Sequence, residues 1–275
     1  MHTAAFRHAG IHATYDAVRV TPDDLSRWLE REAGAYRGFN VTIPHKEAVA
    51  ERVDAEAHAA RLRAVNTVVC NAGRLHGYNT DYAGFERCVQ ALGVNVRGQS
   101  VVLFGAGGSA RAVVRSLLDL GAYVTVVNRT RERADDLLAS MDTLTVVQAG
   151  GRSGRRHPPV SAGEGRAMTS GDPAVHESIA AAVLLVNTTS LGMSHLADLS
   201  PLPDGASLLH RPAVVDLVYG RETPLVRVAR EAGCAVFDGI EMLVQQGALS
   251  FGFWTGIEPD LDVMRQACRA ELERR

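Results

Sequence analysis

The chain has 275 residues, 46% hydrophobic and 22% charged, with a formal net charge of -2, which allows two domains with separate cores and excludes a global basic field for nucleic acid or an anionic membrane. Cys70, Cys88, Cys234 and Cys268 form no C-x-x-C pair, no H-E-x-x-H occurs, and no apolar stretch approaches the length of a membrane span. The expectation is a cytoplasmic protein with free thiols, no metal site and no signal peptide.

In chain order, residues 14–20 read as a strand, and a helix is predicted over 22–33 with Thr21 as N-cap and Pro22 at its first position. Residues 38–43 form a second predicted strand, and Pro44 opens another helix. Residues 65–70 form a third strand, which turns at Asn71-Ala72-Gly73 and returns through 75–78. Strands alternating with helices predict a mostly parallel sheet here. Residues 83–97 read as a helix leading into a new unit. Ser100–Phe104 carries an unbroken apolar run, the pattern of a strand buried on both faces. A glycine turn, a helix and the strand Tyr123–Asn128 complete a βαβ unit, and Leu184–Asn187 and 213–217 continue its sheet. Residues 149–172, rich in Gly, Arg, Ser and Pro, read as a long disordered loop. From Met242 onward the chain reads as helical and is expected to fold back on the first domain. The expected fold is α/β with two α/β domains: 1–82, completed by 239–275, and a Rossmann domain over 83–238 that carries the loop.

Gly105-Ala106-Gly107-Gly108-Ser109-Ala110 is G-x-G-x-x-A between a predicted strand and a predicted helix, the context a dinucleotide fingerprint requires. The first glycine allows the tight turn and the second lets the main chain approach a pyrophosphate. Ala110 permits close helix–strand packing, and the helix N-terminus offers free N–H groups and a positive dipole. At the tip of the next strand an NAD site places an acid for the ribose hydroxyls. Here the sequence is Asn128-Arg129-Thr130-Arg131-Glu132-Arg133, with no acid at the tip. Arginines in a first helical turn oppose the dipole, so a structural role explains them poorly. A 2′-phosphate suits them, with Arg129 stacking on adenine or pairing with the phosphate.

Three further segments put polar residues at the ends of predicted strands: N-V-T-I-P-H-K at 40–46, A-V-N-T at 64–67 and G-Y-N-T-D at 77–81. Strand ends line the ligand crevice in open α/β sheets. Together they supply one amine, one carboxylate, and several amides and hydroxyls, a set suited to a polyhydroxylated small molecule with a proton to be moved. An isolated Lys and Asp would more often form a structural salt bridge.

These segments, the glycine turn and N-R-T at 128–130 resemble the motifs of the shikimate dehydrogenase family. So do N-T-T-S-L-G-M at 187–193, D-L-V-Y at 216–219, D-G-I-E-M-L-V-Q-Q at 238–246 and F-W-T-G at 253–256. They run in the family's order over nearly the whole chain. The resemblance implies NADP-dependent, reversible reduction of 3-dehydroshikimate to shikimate in aromatic amino acid (chorismate) biosynthesis. It implies a substrate-binding catalytic domain over 1–82 and a small-molecule substrate, with the protein a monomer or homodimer. It makes Lys46 the catalytic lysine and Asp81 its carboxylate partner, which also binds substrate. Thr42, Asn66 and Gln246 would hold ring hydroxyls, with Tyr219 near the substrate carboxylate. On the cofactor side it covers Gly105, Ala106, Gly107, Gly108, Ser109, Asn128, Arg129, Thr130 and Arg133, with Leu217 by its backbone, and Gly239.

One part of the pattern is missing. The family begins with a strand, a glycine turn and a Ser-x-Ser segment that holds the substrate carboxylate, and no S-x-S occurs in the first 40 residues. The expectation is that the first strand and this anchor are absent, with an internal methionine taken as the start. Rival readings are an NAD-dependent quinate/shikimate dehydrogenase, a methylenetetrahydrofolate dehydrogenase of related plan, and an NADP-binding protein left inert by truncation. The arginine-rich strand tip weighs against the first rival, and the pairing of N-V-T-I-P-H-K with N-T-D against the second.

Overall fold

The computed structural model describes residues 1–146 and 163–274. Its contacts divide the chain into two compact units, Met1–Gly84 with Leu243–Arg275, and Phe85–Met242.

The first unit opens with α1 (His2–His8), α2 (Leu25–Arg31), β1 (Gly38–Asn40), α3 (Lys46–Ala50), β2 (Asp54–Ala55), α4 (Ala57–Leu62), β3 (Thr67–Asn71) and β4 (Arg74–Tyr78), and α5 (Thr80–Ala91) begins in it. The strands lie in the order β1-β3-β4-β2. β1 with β3 and β3 with β4 are antiparallel, and only β2 with β4 is parallel, so the expected mostly parallel sheet is corrected to a mixed one. The cause is local. β3 and β4 are joined by Ala72 and Gly73, both at positive φ (47° and 77°), the two-residue turn that closes an antiparallel hairpin.

Residues 14–20 do not form the expected strand. A strand needs a neighbour for its ladder, and among the described residues none pairs with this segment. Side chains tie it down instead: the Tyr15 hydroxyl donates to Asn40 Oδ1 at 2.7 Å, and His45 Nε2 lies 2.8 Å from the Val20 carbonyl. The helix expected from Pro22 starts at Leu25, after a turn in which the Thr21 hydroxyl donates to Asp24 Oδ2 and accepts from the Asp24 N–H. Likewise α3 starts at Lys46 rather than Pro44, and the helix expected over 83–97 runs over Thr80–Ala91.

The second unit contains β5 (Ser100–Phe104), α6 (Gly108–Asp119), β6 (Tyr123–Asn128), α7 (Arg131–Val146), β7 (Gly165–Thr169), α8 (Ala174–Ala181), β8 (Leu184–Asn187), β9 (Ala213–Asp216), α9 (Pro224–Glu231) and β10 (Val236–Phe237). Its six strands are all parallel, in the order β10-β9-β8-β5-β6-β7. The pleat explains their apolar runs. Val101 and Leu103 of β5 enter one core with Val124, Val126, Leu184, Val186 and Val215. Val102 and Phe104 point the other way, into a second core with Val127, Leu185 and Val214.

The expected loop over 149–172 is corrected in part. Residues 165–169 are strand β7, paired with β6, with Ala167 and Met168 buried. Two apolar side chains sufficed where a partner strand was available. Residues 149–162 of that stretch lie outside the described residues.

Helices α10 (Gly239–Thr255) and α11 (Leu261–Glu273) follow, and from Leu243 onward the chain belongs to the first unit. The Trp254 indole donates to the Val68 carbonyl at 3.0 Å and covers Gly38, where any Cβ would overlap the ring. Beside it Leu25, Trp28, Leu29, Val49, Val65 and Val68 form the unit's core. No helix among the described residues is long and apolar enough to cross a membrane.

Candidate active site

In the first unit, backbone bonds stitch three strand ends together. Val41 N–H donates to the Asn66 carbonyl (2.8 Å), Val65 N–H to the Lys46 carbonyl (3.0 Å) and Asn66 N–H to the Tyr78 carbonyl (3.0 Å). Lys46 is the first residue of α3 and Asp81 the second of α5. Their side chains, 35 residues apart in sequence, meet at 2.6 Å from Nζ to Oδ2, with the lysine 27% and the aspartate 17% exposed. A lysine ammonium has three N–H donors. Among the described residues Asp81 takes one, which leaves two for a ligand.

Asn66 is 3% exposed, and its amide orientation follows from one neighbour. The Thr80 backbone N–H lies 2.7 Å from it and can only donate, so the facing atom is Oδ1. That oxygen also lies 3.2 Å from the hydroxyls of Thr67 and Thr80. Its acceptor capacity is consumed inside the protein, which leaves Nδ2 as the group Asn66 can offer. Behind it, Thr67 Oγ1 lies 2.8 Å from Ser250 Oγ and accepts from Asn40 Nδ2 at 3.0 Å. Gln246 receives the Thr80 hydroxyl on Oε1 (3.3 Å) and donates Nε2 to the Leu243 carbonyl (2.8 Å). Thr42 stands exposed after β1.

In the second unit, β5 runs into Gly105, whose φ is +106°. A Cβ there would lie 2.7 Å from Thr188 Oγ1, so both conformation and space demand glycine. Gly107 and Gly108 have open space where a Cβ would be, Ala106 is half-buried, and Ser109 is exposed. Gly107 is the N-cap of α6 with no side-chain cap, so the first N–H groups of a 12-residue helix have no intrahelical partner. Ala110 is buried against the sheet.

At the tip of β6, Asn128 Nδ2 donates to the Thr130 carbonyl at 2.7 Å. Arg131 Nε lies 3.4 Å from Asp135 on the same helix, so one of the three arginines is already compensated. Arg129 and Arg133 are exposed beside it. Leu217 N–H donates to the Asn187 carbonyl (2.9 Å), and Gly239 N–H to that of Val218 (3.2 Å). A Cβ on Gly239 would overlap the Val218 carbonyl oxygen. Tyr219 is 53% exposed on the loop after β9.

Lys46, Asp81, Thr42, Asn66 and Gln246 thus belong to the first unit, whereas Tyr219 stands in the second with the residues assigned to the cofactor. Sequence reasoning missed the half-buried support Asn40, the buried supports Thr67, Thr80 and Ser250, and also Asp216. Asn40, Thr67, Thr80 and Asp216 lie inside segments already singled out. Ser250 sits on an apolar helix 183 residues from its partner Thr67, with no local signal.

Comparison with known proteins covers both units. Residues 1–68 match the model of the shikimate dehydrogenase substrate binding domain, 87–149 that of shikimate / quinate 5-dehydrogenase, and 239–269 that of the shikimate 5′-dehydrogenase C-terminal domain. The crystal structure of shikimate 5-dehydrogenase from Thermus thermophilus, in complex with NADP(H) and shikimate, superposes with a TM-score of 0.80 at 34% identity, over 98% of this chain and 92% of that one. Quinate dehydrogenase from Corynebacterium glutamicum, in complex with NAD, gives 0.83 at 30% identity over 98% and 92%. The shikimate dehydrogenase (NADP(+)) of Symbiobacterium thermophilum is 41% identical over 99% of this chain and 89% of its own length. With identity at that level over almost its entire length, the chain belongs to the shikimate dehydrogenase family.

Proposed function

We propose that the protein is an NADP-dependent shikimate dehydrogenase that reversibly reduces 3-dehydroshikimate to shikimate in aromatic biosynthesis. The observation that carries this is the Lys46–Asp81 pair, a partly buried ammonium with two N–H groups to spare, beside an asparagine whose amide is fixed as a donor. Both features present donors to ligand oxygens, as a hydroxylated ring with a ketone requires. In the reducing direction Lys46 gives a proton to the oxygen of the forming alcohol, and in reverse it takes that proton back. Asp81 holds Nζ in place through a charge-assisted bond. Asn66 Nδ2 donates to a ring oxygen, while Thr42, Asp81 and Gln246 complete the first unit's substrate contacts.

The second unit fits NADP by its own geometry. Gly107 and Gly108 leave room for a pyrophosphate, the start of α6 offers uncapped N–H groups, and Arg129 and Arg133 stand where an NAD site would carry an acid. Gly105, Ala106, Ser109, Asn128, Thr130, Leu217 and Gly239 supply main-chain and side-chain contacts around them. When bound, the nicotinamide supplies or accepts the hydride. The reading also places the enzyme in the cytoplasm as a monomer or homodimer, a choice that sedimentation decides.

Following NADPH absorbance with 3-dehydroshikimate, and in parallel arms quinate with NAD, tests the assignment. Turnover in the first arm is expected. Turnover in the second arm alone would make the protein an NAD-dependent quinate dehydrogenase, the activity named for the Corynebacterium enzyme of similar fold.

A further inference from the structure

Asp216, the last residue of β9, has no solvent exposure. Its Oδ1 receives Asn187 Nδ2 and the Val218 N–H, each at 2.9 Å, and its Oδ2 receives the Thr223 hydroxyl at 2.6 Å. These donors come from the end of β8, the loop after β9 and the N-cap of α9. All are uncharged, and burial pushes the carboxyl's pKa up, so keeping an anion here is costly. Capping α9 does not require it, because Thr223 Oγ1 already accepts from the Val226 N–H at 3.2 Å. What requires a carboxylate is the convergence of three donors on one side chain, which an amide cannot accept without turning one of its own donors inward.

The network continues toward the nucleotide turn. Asn187 Oδ1 receives the N–H and hydroxyl of Thr189 (3.0 and 2.7 Å). The neighbouring Thr188 donates both its N–H and its hydroxyl to the Phe104 carbonyl, each at 2.8 Å. A Cβ on Gly105 would meet Thr188 and Thr189, and one on Gly239 would meet the Val218 and Leu217 carbonyls.

We propose that Asp216 is a positioning residue for the cofactor, its carboxylate locking the loops after β8 and β9 so that Gly105, Leu217 and Gly239 hold the register a dinucleotide needs. This rests on the reading of the second unit as the NADP-binding one. Asp216 does not touch the ligand. It fixes main chain that would, and a small misplacement of such main chain weakens binding strongly.

The test is calorimetric titration of NADP+ and of adenosine 2′,5′-bisphosphate into the wild type, Asp216→Asn, Thr223→Val and Thr223→Ser, below their melting transitions. The bisphosphate carries the 2′-phosphate but lacks the nicotinamide end. Asp216→Asn and Thr223→Val should weaken NADP+ by about 10–100-fold and the bisphosphate, which lacks everything beyond the 5′-phosphate, by clearly less, and Thr223→Ser, which keeps the hydroxyl, should restore NADP+ binding. Equal loss of both ligands would overturn the proposal, since it would mean general loosening. So would Thr223→Ser behaving like Thr223→Val, or variants that melt earlier but bind NADP+ normally. If Asp216→Asn does not fold, the two Thr223 variants decide alone. A wild type that binds no NADP+ would remove the cofactor reading along with this one, whereas normal wild-type binding with unaffected variants removes this one only.

Discussion

The two units build their functional edges from different material. In the first, the edge is made of side chains: an ammonium held by a carboxylate at 2.6 Å and an amide held by hydroxyls. In the second, the turn and loops are mainly main chain, shaped by glycines that tolerate no Cβ at Gly105 and Gly239. Side chains can be removed one function at a time. Main-chain geometry can be disturbed only by changing what the backbone is able to do.

That contrast sets the order of expected effects. Lys46→Ala should lower kcat by roughly 10²–10⁴-fold with little change in KM, because its proton moves only in the transition state. Steady-state kinetics with 3-dehydroshikimate gives the answer, and a variant with near-normal kcat removes Lys46 from the mechanism. Arg129→Ala is a side-chain lesion in the second unit. Losing a charge-assisted bond of about 1.5–3 kcal/mol should weaken NADP+ by about 10–150-fold and NAD+ hardly at all. Equal losses for both cofactors would show that Arg129 does not read the 2′-phosphate.

Gly105→Ala should instead lower stability and NADP+ binding together, since φ is +106° and the new methyl meets Thr188. Strain of about 1–3 kcal/mol is expected, read as a lower denaturation midpoint. An alanine variant as stable as the wild type would mean that the turn rearranges freely.

The smallest effect separates the units by pH. His2 is 2% exposed, between Tyr15 and Trp254, and neither ring nitrogen has a hydrogen-bond partner among the described residues. Burial, helped by the N-terminal charge, lowers its pKa from 6.5 to about 3. The folded state then binds fewer protons than the unfolded one, so this contribution to stability is present above pH 6.5 and is lost as pH falls toward 3. At one pH unit below the unfolded value the loss is about 1.4 kcal/mol. His2→Phe should flatten that slope in denaturant titrations at several pH values, and an unchanged slope would mean that His2 is not the group responsible. Asp216 works in the opposite sense. Its folded pKa is raised, chiefly by burial, so the cost of its charge is relieved on acidification.

Legibility followed the same division. Ser100–Phe104, Tyr123–Asn128 and Leu184–Asn187 were readable to the residue, because a strand buried on both faces needs apolar residues throughout. In the first unit, residues 14–20 read as a strand but have no neighbour to pair with among the described residues, and a local reading says nothing about neighbours. The antiparallel hairpin was implicit in Ala72-Gly73, yet helix–strand alternation around it suggested a parallel sheet. Residues 165–169 were masked by the glycine- and arginine-rich stretch before them. The motifs named Lys46 and Asp81, but no spacing rule brings residues 35 apart to 2.6 Å. The supports behind Asn66 were illegible for the same reason, since Ser250 reaches Thr67 only through the return of α10.

That return also leaves an optical label on one unit only. The chain has two tryptophans, Trp28 and Trp254, and both are buried in the first unit. The second unit carries Tyr123 and Tyr219 and no indole. Indole emission therefore reports the solvation of the Lys46 unit alone, while far-UV dichroism sums the helices and strands of both. Recording the two signals in one melt turns native fluorescence into a unit-specific thermometer, without any added dye.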